Sequence, residues 1–86
     1  GSDRLDLLLQ YEKTMLAIEM KGWRDGRSDP LKAGLAQLDK YLTGVGLTTG
    51  WLVIFDQRSG QPPIAERTNT ERAVSPKNRE IMVIRA

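Results

Sequence analysis

The chain has 86 residues, 40% hydrophobic and 28% charged, with a formal net charge of +2. That suffices for one globular domain with a thin core and argues against disorder. It contains no cysteine and no histidine, which excludes disulfide scaffolds, thiolate or imidazole zinc sites, and Ser-His-Asp or Cys-His catalysis. Any metal must therefore be held by oxygen ligands, which points to Mg2+ or Mn2+. The lack of cysteine fits a reducing, cytoplasmic setting, and no signal-peptide or membrane-span pattern is seen. From Gln57 onward there are six basic residues (Arg58, Arg67, Arg72, Lys77, Arg79, Arg85) against three acidic ones (Glu66, Glu71, Glu80). This excess suits contact with phosphates, or is simply a solvated surface.

Gly1-Ser2 has the look of a tag scar, leaving residues 3–86 as a single domain excised from a longer protein. Residues 5–11 are apolar around Asp6 and predict a buried strand bearing one carboxylate. Glu12-Lys13 predicts a tight turn. Residues 15–23 predict a second, antiparallel strand with Leu16, Ile18 and Met20 on one face and Ala17, Glu19 and Lys21 on the other. A polar loop over 22–28 leads to Asp29 as N-cap, with Pro30 at the first helical position. The helix should run over about 30–43 with Leu31, Leu35, Leu38 and Leu42 facing the core. Gly34, Gln37 and Tyr41 form the neighbouring stripe, and Gly44 and Gly46 end the helix.

Residues 50–56, GWLVIFD, predict a central strand buried on both faces and reached by a crossover through the helix. Residues 59–63 predict a loop, 66–74 an edge strand, 75–78 a turn, and 80–85 a last strand. The expected fold is α/β, a mixed β-sheet of about four to five strands with one principal helix, in the order β-β-α-β-β-β. One helix covers one face of such a sheet. The other calls for a missing upstream segment or a partner chain, and a homodimer is the simplest case.

Glu19 and Lys21 lie two apart on one strand face, and Asp6 sits on the preceding strand. In a suitable register the three converge. Two carboxylates supply oxygen ligands to a divalent cation, the Met20 backbone carbonyl can add another, and a lysine beside them can orient water and stabilise phosphate charge. Against this stands a plain reading of Glu19 and Lys21 as a surface ion pair, worth about 0–1 kcal/mol. Asp6 is less easily dismissed, because a carboxylate among leucines is destabilising without a partner. Trp23 and Arg24 can stack on or clamp nucleic acid, although Trp23 also suits a core or rim position. Tyr41 suits packing, Gln37 suits a polar place beside the stripe, and Asp56 suits a solvated strand end.

The stretches R-L-D-L-L-L, I-E-M-K, G-L-A-Q-L-D-K-Y-L and G-W-L-V-I-F-D resemble the PD-(D/E)xK nuclease superfamily. The nearest likeness is to the nuclease-like domain at the C-terminus of some AAA-type ATPases. The resemblance implies a truncated restriction-endonuclease-like core and a metal-dependent hydrolase acting on DNA, with RNA also open. It implies Asp6 and Glu19 as metal ligands, Lys21 as the catalytic lysine and Gln37 as a further member of the site, with an ATPase domain in the parent protein. Leu5 stands where the family often has proline, and the family's usual first helix and first strand have no counterpart. The alternative expectation is a non-catalytic nucleic-acid-binding or assembly module appended to an ATPase.

Overall fold

A computed structural model describes residues 6–86. Two predicted features, the Gly1-Ser2 scar and the start of the first strand at Leu5, lie outside them. The chain runs β1 (Leu7–Tyr11), β2 (Thr14–Trp23), α1 (Leu31–Val45), β3 (Gly50–Asp56), α2 (Ile64–Arg67), β4 (Asn69–Val74) and β5 (Glu80–Arg85). The five strands form one mixed sheet in the order β1-β2-β3-β5-β4. The α/β class, the mixed sheet and the single principal helix are as the sequence predicts.

The hairpin closes where expected, with Tyr11 opposite Thr14 and Glu12 taking the turn at φ 54°. β2 then pairs in parallel with β3 and β3 in parallel with β5, while β4 and β5 are antiparallel. A parallel β2–β3 pair requires a crossover, and α1 supplies it. The N-cap is Pro30 and not Asp29, so α1 starts at Leu31, one residue later than predicted; from one place before the cap, Asp29 Oδ1 still accepts a hydrogen bond from the Leu31 N–H at 3.0 Å and satisfies an orphan donor. At the far end Gly46 adopts φ 75°, and its N–H donates to the Leu42 carbonyl. Only a residue tolerant of the left-handed region fits there.

The core lies between α1 and the inner face of the sheet. Leu35, Leu38 and Leu42 pack on Ala17, Leu52, Ile54, Ile81 and Val83, with Leu31 and Tyr41 partly buried around them. Burying each large aliphatic side chain contributes about 1.5–3 kcal/mol. Gly34 sets the closeness of the layers: a Cβ there would meet Leu52 Cδ1 at 2.7 Å. Among the described residues no helix is long and apolar enough to cross a membrane.

Several expectations are corrected. β1 is not buried: it is an edge strand, exposed throughout, with Asp6 just before its first residue. Having a neighbour on one side only, its leucines stay 38–46% exposed. β2 ends at Trp23, as the predicted strand over 15–23 does, so the polar loop begins only after that residue. α1 runs on through Gly44, because it is Gly46 that takes the left-handed conformation. β3 is central but covered on one face only, with Phe55 43% exposed. Residues 64–67 form the short α2, so the following edge strand starts at Asn69. β4 is an edge strand, as expected, and the last strand in sequence, β5, lies between it and β3.

Candidate functional site with two carboxylates beside a half-buried lysine

The inner face of β2 carries Ala17, Glu19 and Lys21 toward α1, as the alternation predicts. Ala17 and Glu19 are buried and Lys21 is half-buried, whereas Met20 on the opposite face is 38% exposed. Extending the β1–β2 register by one residue beyond Leu7–Ile18 sets Asp6 opposite Glu19. Asp6 is fixed there by its Oδ2, which accepts a hydrogen bond from the Met20 N–H at 2.8 Å. A strand residue presents its N–H and its carbonyl to the same neighbour. The Met20 carbonyl therefore faces the Asp6 side of β2, where the sequence reading needs it.

Lys21 completes the group. Its Nζ donates to Gln37 Oε1 of α1 at 2.5 Å and stands 3.7 Å from Glu19 Oε1. Its side chain is 28% exposed and that of Glu19 is 2% exposed. This is therefore no surface ion pair: one partner is enclosed by the helix, and the other is held by a second helix-borne group. Gln37 belongs to the cluster by contact and not merely by its place on the helix stripe.

Glu19 Oε2 is buried and has no hydrogen-bond partner among the described residues. Burial, then the charge of Asp6, then a hydrogen bond shared with Asp6 push the Glu19 carboxyl up from 4.5 to about 7, while Lys21 pulls the other way. The charge of Asp6 beside it disfavours ionisation of Glu19, which a proton on Glu19 or a bound cation relieves. The donor set suits a hard divalent ion: two carboxylates, a carbonyl facing the same side and an orphaned buried oxygen. Among the described residues no group of three or more acidic side chains converges on one point. Asp6 and Glu19 are thus the whole anionic part of the site described here.

The other predicted residues separate. Trp23, at the end of β2, donates from Nε1 to the Arg27 carbonyl at 2.9 Å, and the Arg58 guanidinium stacks 3.5 Å from its ring centroid. Trp23 packs against the core as well, so it is both rim and stacking platform. Arg24 lies exposed in the following loop with its Nε on Gln57 Oε1 at 3.1 Å. Asp56 is not a merely solvated strand end. Arg58 binds it through two donors at 2.9 and 2.7 Å, holding its carboxyl down at about 2.

One buried carboxylate escaped the sequence reading altogether. Asp39 on α1 is 3% exposed, accepts from the Lys77 N–H at 2.8 Å and pairs with Arg79 at 3.0 Å. Its neighbours Leu38 and Tyr41 drew attention to packing, and nothing local marks a helix aspartate as reaching a turn 38 residues away. No family model, no curated protein and no solved structure matches the chain.

Proposed function

We propose that the chain is a metal-dependent phosphodiester hydrolase with a truncated restriction-endonuclease-like core of the PD-(D/E)xK type, acting on DNA. The observation that carries the reading is the shared Asp6–Glu19 pair with its orphaned buried oxygen, set against a lysine that a helix glutamine holds in place. A scaffold has no use for a buried carboxylate oxygen left without a hydrogen bond, since such an atom is destabilising. Asp6, Glu19 and the Met20 carbonyl would hold Mg2+ or Mn2+. When bound, such an ion neutralises phosphate charge and acidifies water. Lys21, half-buried and tethered by Gln37, orients water at the phosphate and stabilises the negative charge that develops on its oxygens. Gln37 is a positioning residue acting through Lys21. Trp23 and Arg24 follow directly along β2 and its loop, where they contact the nucleic-acid strand.

The second reading, a non-catalytic nucleic-acid-binding or assembly module appended to an ATPase, draws on the modest net charge of +2. Dedicated nucleic-acid binders are usually more basic. The two are separated by thermal unfolding with and without Mg2+ or Mn2+. A cation that binds only the folded chain raises its stability by RT ln(1 + [L]/Kd). The wild type should melt higher with either ion, Glu19→Ala should lose the gain, and Glu71→Ala, a surface control, should keep it. A wild type indifferent to both ions at millimolar concentration would favour the module.

A further inference from the structure

The basic residues of the C-terminal third are not spread evenly. Arg58, Arg67 and Arg85 line one cavity of about 140 Å3 together with Trp23, Asp56 and Asn69. Trp23, Asp56 and Arg85 are the last residues of β2, β3 and β5. The cavity therefore opens at the carboxyl ends of the three parallel strands, where open α/β sheets bind their ligands.

Each guanidinium is anchored yet incompletely used. Arg58 spends Nε and Nη2 on Asp56 and lies flat on Trp23. Arg85 donates from Nε to Glu71 and from Nη2 to Asp29, both at 2.9 Å. Arg67 donates to the backbone carbonyls of Pro62 and Asp56 and forms no ion pair with a described carboxylate. Its Nε is sealed from solvent without an acceptor among the described residues. The Nη1 groups of Arg58 and Arg85 have no acceptor among the described residues either. Guanidinium forks match multidentate oxyanions. A carboxylate offers two oxygens to three guanidiniums, whereas a phosphate offers enough oxygens for all three.

We propose that this cavity is a phosphate-binding site, with Arg67 as its central donor and Arg58 and Arg85 held in place by their carboxylate partners. Trp23 lies two residues beyond Lys21 on the same face of β2, roughly 6–7 Å along the strand. A nucleic-acid strand held at Lys21 runs on to the cavity, so the phosphate comes either from that strand or from a free nucleotide or phosphate. The first source rests on the hydrolase reading, and the site itself does not.

The test uses Trp51→Phe as background, so that emission reports Trp23, and excludes divalent cations with EDTA. Inorganic phosphate should cause a saturable change in emission. Arg67→Gln should weaken it at least tenfold. Asn69→Asp, an isosteric change at the exposed start of β4, should weaken it too by placing a negative charge on the cavity wall. Lys13→Ala, in the turn at the opposite end of β2, should leave it unchanged. A single-stranded oligonucleotide that displaces phosphate identifies strand phosphates as the ligand, and one that does not identifies free phosphate or nucleotide. No saturable binding of phosphate, or equal binding by folded Arg67→Gln and Asn69→Asp, overturns the proposal. Because no cation is present, the result is independent of whether the chain hydrolyses DNA.

Discussion

Glu19 couples the candidate site to stability. Its carboxyl titrates at about 7 in the folded chain against an ordinary 4.5, so the folded state binds the proton more tightly than the unfolded one. The stability this contributes is fully present below about pH 4.5 and is lost as pH rises through about 7. The difference corresponds to at most about 3 kcal/mol. Glu19→Gln should therefore match the wild type near pH 4.5 and be the more stable protein at pH 8, as read by urea unfolding at both values. Parallel profiles would show that Glu19 is not held neutral. A cation competes for the same oxygens, so metal affinity should climb through this pH range. The convergence of Asp6, Glu19 and Lys21 was legible because strand alternation and a two-residue turn leave few registers, whereas Gln37 was singled out only by the family resemblance. It did not supply the neutral carboxyl, since that depends on how tightly α1 closes over β2, which in turn depends on Gly34 lying against Leu52.

At the level of elements, the β2–α1–β3 crossover is legible because leucines recur at helical spacing and a continuous apolar strand follows. What attaches α1 to the far side of the sheet is not legible. Asp39 fastens the helix to the β4–β5 turn through Lys77 and Arg79, over a separation of 38–40 residues. Burial pushes the Asp39 carboxyl up, but hydrogen bonds from Ser75, Lys77 and Arg79 outweigh it and hold the group ionised at a lowered pKa. Removing one partner of a buried pair leaves an uncompensated charge. Asp39→Ala should therefore cost roughly 3 kcal/mol. By contrast Arg72→Ala, which breaks an ion pair whose partners are 74% and 65% exposed, should cost less than about 1 kcal/mol. Chemical denaturation of the two variants checks the contrast, and equal losses would contradict it. The burial of β1 and of both faces of β3 was misread for one reason. Apolar runs show that a strand has hydrophobic side chains, not how many neighbours it finds.

For the molecule as a whole, the asymmetry of the sheet dominates. α1 covers one face, while Leu7, Leu9, Ile18, Met20, Val53 and Phe55 lie on the other, several of them more than a third exposed. Contiguous apolar surface of this kind is uncommon on isolated monomers. Self-association should follow, with apparent mass rising with concentration in light scattering, and Phe55→Glu should lower it by placing a charge in the middle of that face. A monomer at high concentration that also binds no hydrophobic dye would contradict this. The face was anticipated from the count of one helix against five strands, although the order of those strands was not. Pairing partners distant in sequence leave no local mark.

The central claim is that Asp6, Glu19 and Lys21 hydrolyse phosphodiesters with a divalent cation. Cleavage of plasmid and single-stranded DNA in Mn2+ tests it most directly, comparing the wild type with Lys21→Ala and Glu19→Ala. The account predicts cleavage by the wild type and a loss of at least a hundredfold in either variant. Cleavage undiminished in Lys21→Ala, or a wild type that binds Mn2+ and cleaves neither substrate, would contradict it.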